Sequence, residues 1–170
     1  MAKPLVLILM GSDSDHPTVK AAADFLDSMA VPFEMRVSSA HRSPTRTEKL
    51  VADAEADGVK VFICAAGMAA HLAGVVAAMT IKPVIGIPID SSSLGGLDAL
   101  LSTVMMPPGV PVATVATGKA GAANAAVLAC QILALGDNSL ADKLVRNRVK
   151  MAEGVADKDL KLQETLKSGK

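Results

Sequence analysis

The stretch Leu5-Val-Leu-Ile-Leu-Met10, followed directly by Gly11-Ser-Asp-Ser-Asp15, decides the fold prediction. Six consecutive apolar residues indicate a strand that is buried on both faces, and such strands are typical of parallel sheets covered by helices. The residues that follow are small or polar, as expected of a loop that leads into a helix. The pattern therefore predicts the first strand of a parallel α/β sheet with a polar loop at its carboxyl end.

Four further apolar runs follow at intervals of about 25 to 30 residues, the spacing of a strand–helix–strand unit. They cover residues 33–38, 61–66, 84–89 and 112–116. Helices are predicted from Asp15 or His16 to the residue before Val31-Pro32, from Ser43-Pro44 to Asp57-Gly58, from Ala70 to Met79, and from Gly96 to Val104. We therefore expect a three-layer α/β domain with a doubly wound parallel sheet of the flavodoxin-like kind.

The two C-terminal segments differ in character. The predicted helix 118–135 has almost no polar face before Gln131. A helix that is apolar all round must be covered on all sides, so we expect another subunit on its outer side and hence a homo-oligomer. The charged and amphipathic stretch 139–170 predicts a surface helix, with Gly154 as the candidate position for a break.

Length and composition limit the possible functions. The 170 residues suit one α/β domain with a core at about 4–136 and a helical tail at about 139–167. The chain is 51% apolar but has no Trp or Tyr, and 17 basic residues are balanced by 17 acidic ones. Without stacking side chains or an excess of basic residues, nucleic-acid binding is not expected.

Cysteine usage and apolar run lengths indicate the compartment. Cys64 and Cys130 stand singly among apolar residues, as expected of reduced thiols in the core of a cytosolic protein. The run 5–10 is too short for a signal peptide, and no run reaches the roughly 20 residues that span a bilayer. We therefore expect a soluble, cytoplasmic protein without a membrane partner.

In an open parallel sheet, ligands bind outside the carboxyl ends of the strands. The loop after the first strand, residues 11–15, has two hydroxyls and backbone N–H groups at a helix start, where an anion is favoured. Asp13 and Asp15 would repel that anion, so at least one carboxylate should face another group, such as sugar hydroxyls. The same residues would also suit an N-cap pair for the first helix.

Two histidines follow the next two strands. His41 stands beside Arg42, which places a group that titrates near neutral pH next to a fixed cation. His71 lies among small residues after the third strand, where a ligand can approach the backbone closely, but it could equally cap the next helix. His16 is interpreted as a capping or exposed residue.

Several site classes lack their signatures. The histidines have no metal-ligand spacing, so no metal is predicted. Neither a dinucleotide fingerprint nor a P-loop occurs, so the sequence does not support these two kinds of nucleotide site. A phosphoreceiver domain would be matched by Asp13, Ser91 and Lys119, but the third strand ends without the aspartate that accepts a phosphoryl group. A flavin-binding module is disfavoured by the lack of aromatic residues and by the acidic first loop.

Five ordered segments closely resemble the aminoimidazole ribonucleotide carboxylase family of purine biosynthesis. They are residues 10–15, 39–42, 66–72, 106–111 and 118–124. The segment Ala69-Ala-His-Leu72 is similar to the class of 5-(carboxyamino)imidazole ribonucleotide mutases, whereas a sister class carboxylates aminoimidazole ribonucleotide directly with carbon dioxide. The resemblance implies an isomerase that moves a carboxylate from an exocyclic nitrogen to a ring carbon, without a cofactor, in a cytosolic octamer.

The resemblance also implies roles for individual residues. His41 would be the general acid and base, while Ser12, Asp15 and Arg42 would bind the nucleotide. In terms of their chemistry, Ser12 and Arg42 suit the phosphate, and Asp15 suits the ribose hydroxyls. The other residues that we predict to bind the substrate are Gly11, Ser14, Ser39, Ala69, Ala70, His71 and Leu72.

The chain departs from the family pattern at three positions. Met68 stands where a glycine is usual, Ala73 where a proline is usual, and Pro108 where a basic residue can occur. Two alternative functions remain open at this point: direct carboxylation of aminoimidazole ribonucleotide by carbon dioxide, and a non-catalytic flavodoxin-like module that binds a nucleotide.

Overall fold

A computed structural model describes residues 3–169 and shows a five-stranded, fully parallel sheet. The strands are β1 (Val6–Met10), β2 (Phe33–Val37), β3 (Val61–Gly67), β4 (Val84–Ile89) and β5 (Ala113–Thr114). Their order in the sheet is β2-β1-β3-β4-β5. The predicted doubly wound parallel sheet is therefore confirmed.

Six α-helices follow the strands in the described residues 3–169. They are α1 (His16–Ser28), α2 (Pro44–Asp57), α3 (Leu72–Met79), α4 (Leu97–Val104), α5 (Gly118–Ala134) and α6 (Asn138–Ser168), and a short 3-10 turn at Asp13–Asp15 precedes α1. Pro17 and Pro44 lie in the first turns of α1 and α2, where the missing N–H costs nothing. Gly58 ends α2 in the left-handed conformation that favours glycine.

The core lies on both faces of the sheet. All five residues of β1 are buried, as expected of a central strand, whereas β2 at the sheet edge is half-buried to exposed. On one face, Leu7, Leu9 and Phe62 pack with apolar residues of α2 and α3. In the sheet order, β2 lies on one side of β1 and β3 lies on the other. Because both connections are right-handed crossovers, α1 packs on the face opposite to α2 and α3. Helices thus cover both sides of the sheet.

Both cysteines are buried and neither forms a disulfide, as predicted. Burial raises the pKa of the Cys64 thiol far above its usual range, so that this side chain is an inert part of the core.

Three predicted boundaries differ from the structure. The fifth strand was expected at 112–116 but is only two residues long: it pairs with β4 at Ala113 and Thr114, and Pro111, which has no N–H to donate, lies two residues before its start. The helix expected from Ala70 begins two residues later, at Leu72, because residues 68–71 form the turn between β3 and α3. The break expected at Gly154 is absent: α6 continues through this glycine, as an exposed helix tolerates one at small cost.

The chain forms two compact units that divide between Ile132 and Leu133. The first contains the sheet, α1 to α4 and α5 up to Ile132, and the second contains the last two residues of α5 and all of α6. The single domain with a helical tail stays a prediction. Among residues 3–169, no helix is both long enough and apolar enough to cross a membrane.

Candidate active site

A cavity of about 510 Å³ lies at the carboxyl edge of the sheet. It is formed by the loops after β1, β2, β3 and β4, at the point where the chain runs in opposite directions from the central strand. Its lining residues are Gly11, Ser12, Ser14, Asp15, Ser39, Ala40, His41, Arg42, Ala66, Gly67, Met68, Ala69, His71, Leu72 and Ser91. The sequence predicted a site at this edge.

The loop after β1 is held by its own polar groups. Ser12 caps the 3-10 turn: its hydroxyl accepts from the Ser14 N–H at 3.3 Å, and its own N–H donates to Asp15 Oδ2 at 3.2 Å. The Ser14 hydroxyl donates to Ser12 Oγ at 2.8 Å. These bonds form a capping box around the 3-10 turn. They do not cap α1, whose N-cap residue Asp15 makes no side-chain capping bond, and the loop lines the cavity.

Asp15 is a buried carboxylate in the cavity wall. Burial raises the pKa of Asp15, while the hydrogen bond from Ser12 acts in the opposite direction and the neighbouring Asp13 adds to the rise. Since no basic side chain within residues 3–169 pairs with it, the carboxylate is available to accept hydrogen bonds from a ligand.

The loop after β2 presents Arg42 toward the β1 loop. The Ser39 hydroxyl accepts from the Arg42 N–H at 3.2 Å, and Arg42 Nη2 donates to the Gly11 carbonyl at 3.1 Å. The Ser39 carbonyl in turn accepts from the Ser43 hydroxyl at 3.0 Å. The guanidinium is therefore held over the first loop with donors to spare, which places a fixed positive charge beside the serine hydroxyls.

A buried hydroxyl pair anchors the β2 loop. The hydroxyls of Ser38 and Thr47 are 2.9 Å apart, and both side chains are buried. Thr47 lies in α2, so the bond ties the end of β2 to the helix that follows the loop. The intervening residues, His41 and Arg42 among them, are thus fixed at both ends.

The loop after β3 brings a second histidine to the first. Met68 adopts a left-handed backbone conformation, with φ of 54°, and the chain then turns so that the His71 N–H donates to the Ala69 carbonyl at 2.8 Å. His71 occupies the N-cap position of α3, but its side chain makes no capping hydrogen bond. Its Nδ1 instead forms a hydrogen bond with His41 Nε2.

The two imidazoles form a perpendicular pair. Their ring centroids are 4.6 Å apart and the planes meet at 82°. In such a bond one nitrogen donates and the other accepts, so the protonation of one ring sets the tautomer of the other. The structure thus brings together two imidazoles that lie 30 positions apart in the chain.

Nearly every predicted site residue lines this cavity. The exception is Ala70, which is buried but not among the lining residues. Its side chain packs inward because the turn that leads into α3 points its neighbours Ala69 and His71 toward the cavity. His16 is exposed at the first position of α1, as expected.

The structure adds lining residues that the sequence did not single out. They are Ala40, Ala66, Gly67, Met68 and Ser91. The position of Ser91, two residues after the end of β4, could have identified it from the sequence. Its hydroxyl was considered only as part of a phosphoreceiver site. Among residues 3–169, no group of three or more His, Cys, Asp or Glu side chains is placed to hold a metal ion.

A doubly wound sheet with a polar, histidine-containing cavity at its carboxyl edge defines the class: a flavodoxin-like α/β protein with a site for a small ligand. The chain belongs to the AIR carboxylase family, which it matches over residues 5–154. The resemblance seen in the sequence is thereby confirmed.

Named relatives cover almost the whole chain. A protein of Methanocaldococcus jannaschii named N5-carboxyaminoimidazole ribonucleotide mutase is 50% identical over 96% of this chain and 100% of its own length. A Bacillus subtilis protein of the same name is 53% identical over 86% of this chain and 90% of its own. The crystal structure of Treponema denticola PurE superposes with a TM-score of 0.85 at 32% identity, covering 94% of this chain and 98% of that one.

Proposed function

We propose that this protein is an N5-carboxyaminoimidazole ribonucleotide mutase. It converts 5-carboxyamino-1-(5-phosphoribosyl)imidazole to 5-amino-1-(5-phosphoribosyl)imidazole-4-carboxylate. The observation that carries the proposal is the contact between His41 and His71 inside a cavity that also presents Arg42 and Asp15. Relatives of that name, about half identical over most of the chain, support the choice of substrate.

The polar side of the cavity fits the ribose phosphate. The hydroxyls of Ser12 and Ser14 bond to one another, and the Arg42 guanidinium donates to the Gly11 carbonyl of the same loop, so several donors surround a position that suits a phosphate. The buried Asp15 carboxylate accepts from ribose hydroxyls, and Ser39 holds Arg42 in place. This orientation directs the imidazole of the substrate toward the loop after β3.

His41 carries the proton in both half-reactions. As an imidazolium it protonates the exocyclic nitrogen of the carbamate, the C–N bond breaks, and carbon dioxide and the free amine result. The ring carbon then attacks the carbon dioxide, and its proton passes to the now neutral His41, which restores the imidazolium. Atoms and charge balance, so no other reactant is consumed. His71 fixes the tautomer and orientation of His41 through their shared hydrogen bond.

The small residues of the β3 loop retain the carbon dioxide. Ala66, Gly67 and Ala69 line the cavity beside the two histidines, with Leu72 behind them. Short side chains let the gas molecule lie close to the ring carbon, and holding the two reactants together converts recapture into an intramolecular step.

We further propose a cytoplasmic homo-oligomer, an octamer as the family resemblance implies, that uses no metal or organic cofactor. The outer side of α5 carries half-buried apolar residues, Ala123, Val127 and Leu128. Leu97 and Leu101 of α4, and Met105 directly after it, are 55%, 50% and 76% exposed. Large apolar side chains that are exposed together in one segment are typical of a surface that another subunit covers.

The function is tested with two nucleotides, each with and without bicarbonate, after removal of metals by chelation and in the absence of ATP. The carbamate nucleotide should be converted without bicarbonate, and aminoimidazole ribonucleotide with bicarbonate should react far more slowly. Preferential use of aminoimidazole ribonucleotide would make the protein a direct carboxylase. Activity that is lost on chelation and restored by a metal would contradict the cofactor-free mechanism.

A further inference from the structure

The loop after β4 contributes one side chain to the cavity, Ser91. This residue follows Asp90 at the end of the strand, and its N–H donates to the Ile89 carbonyl at 3.1 Å. In the sheet order β4 lies beyond β3, so Ser91 stands beside the loop after β3 that carries His71 and away from the loop after β2 that carries His41 and Arg42.

Gly67 leaves the space that the Ser91 side chain occupies. A Cβ at position 67 would collide with the Ser91 hydroxyl, and it would lie 3.2 Å from Ser91 Cβ and 3.3 Å from the Ile89 carbonyl oxygen. Only glycine at position 67 therefore allows this serine to lie against the end of β3, where its hydroxyl reaches the cavity.

The neighbouring serine has a different task. The Ser92 hydroxyl donates to Asp98 Oδ1 at 2.8 Å and accepts from the Leu94 N–H at 3.1 Å, which fixes the loop to the start of α4. The loop that presents Ser91 is thus rigid without any contribution from the Ser91 hydroxyl.

The other side-chain hydroxyls of the cavity are engaged. Ser12 and Ser14 bond to one another, and Ser39 accepts from Arg42. Within residues 3–169, Ser91 alone among the lining serines has a hydroxyl without a protein partner. Ser91 is exposed at the cavity, and a placed hydroxyl that the protein itself does not use is a group suited to a ligand.

We infer that the Ser91 hydroxyl donates a hydrogen bond to the carboxylate that the enzyme transfers, and that Gly67 is required to place it. The inference rests on the proposed function. A nucleotide whose phosphate meets Ser12 and Arg42 extends its imidazole and carboxylate toward β3 and β4, and this end of the cavity holds no lysine or arginine among its lining residues. A neutral hydroxyl orients the carboxylate there without the strong hold of a full positive charge, which suits a group that must leave and return.

The direct test compares carboxylated and decarboxylated nucleotides. Ser91→Ala should lower kcat/KM for the carbamate nucleotide about 10- to 100-fold, the range expected for one hydrogen bond to a charged group. The inhibition constant of aminoimidazole ribonucleotide, which lacks the carboxylate, should change less than about twofold. Ser93→Ala, an exposed serine of the same loop outside the cavity, is the matched control and should change neither value.

A second pair of variants tests the role of Gly67. Gly67→Ala should reproduce the loss of kcat/KM in the wild-type background, because the new methyl group displaces the Ser91 hydroxyl. In a Ser91→Gly background the same substitution should cost less than about threefold, since the collision with the Ser91 side chain is gone and only the 3.3 Å approach to the Ile89 carbonyl oxygen remains. Circular dichroism and thermal unfolding establish that each variant is folded.

Two results would overturn the inference. One is a Ser91→Ala enzyme with wild-type kcat/KM for the carbamate nucleotide; the other is an equal loss of affinity for both nucleotides, which would place the hydroxyl elsewhere on the ligand. A wild-type protein that converts neither nucleotide would instead reject the proposed function, so the two failures are distinguishable.

Discussion

Substitutions of the adjacent residues His41 and Arg42 should affect different quantities, turnover in the first case and nucleotide affinity in the second. His41→Asn keeps a hydrogen-bonding side chain and removes the titrating group, so turnover should fall by about 10² to 10⁴ while nucleotide affinity is kept. Arg42→Ala should weaken affinity by roughly 10- to 100-fold and slow the bound substrate much less, because the proposed partner of Arg42 is the phosphate. Steady-state kinetics with equilibrium binding separates the two effects.

A His41→Asn enzyme that keeps more than about a tenth of wild-type turnover would contradict the acid and base role of His41, because that residual exceeds what general acid and base catalysis allows. His71 would then be the candidate. No third histidine lies among the residues that line the cavity, so the acid and base role would pass from His41 to His71.

Met68 carries backbone strain at the mouth of the site. Its φ of 54° lies in the left-handed region, and its side chain is 60% exposed, so little burial offsets the cost. Met68→Gly should therefore stabilise the protein by up to about 1 kcal/mol, the strain relieved less the added freedom of the unfolded chain. Chemical denaturation measures this change.

Ala30→Gly is the matched control for Met68→Gly. Ala30 also has a positive φ, of 58°, and is exposed beyond the end of α1, away from the cavity. Both substitutions should stabilise the protein to a similar degree, and only Met68→Gly should alter KM. A destabilised Met68→Gly protein would show that the methionine side chain contributes packing that outweighs the strain.

At the scale of elements, the hydroxyl pair of Ser38 and Thr47 fixes α2 to the end of β2. Thr47 Oγ1 has a second partner, the Ser43 carbonyl at 3.3 Å, whereas the Ser38 hydroxyl bonds only to Thr47 among the described residues. Thr47→Val should thus leave a buried, unpaired hydroxyl and cost about 1–3 kcal/mol, and Ser38→Ala should cost about 1 kcal/mol or less.

The unfolding free energies of the two single variants and the double variant test this asymmetry. The double variant should be close in stability to Thr47→Val or above it, because it leaves no unpaired group. Equal costs for the two single substitutions would mean that water satisfies Ser38 when Thr47 is lost.

Most strands could be predicted from the sequence, but the length of the edge strand β5 could not. Runs such as 5–10 and 84–89 are apolar on both faces, so that β1 and β4 follow from local composition and their order along the chain predicts a parallel sheet. The two-residue β5 could not be predicted, because the length of an edge strand depends on how much of its single neighbour is free to pair.

The candidate site was likewise predicted in part. The loops after β1, β2 and β3 were identifiable because polar residues follow apolar runs. The bond between His41 and His71 was not, since it depends on the turn at Met68, and a methionine gives no signal of a left-handed backbone. Nor was the inward packing of Ala70, which is set by the same turn.

At the scale of the whole molecule, the apolar outer surface of α4 and α5 predicts assembly. Sedimentation equilibrium at low micromolar concentration should give a mass well above 17.3 kDa, and eight times that value for the octamer. The reason is the free energy of covering residues such as Leu101 and Met105. A stable monomer at this concentration would contradict the assembly.

In the proposed reaction, one site releases a carboxylate and returns it to the same nucleotide. A direct test uses the carbamate nucleotide with a ¹³C-labelled carboxylate, incubated with the enzyme in an excess of unlabelled bicarbonate and sampled during the first turnovers. Most of the label should appear in the 4-carboxylate product, because the cavity retains the carbon dioxide until the ring carbon attacks it. A product whose label is diluted to that of the surrounding bicarbonate would show that the carbon dioxide leaves the cavity before it is recaptured.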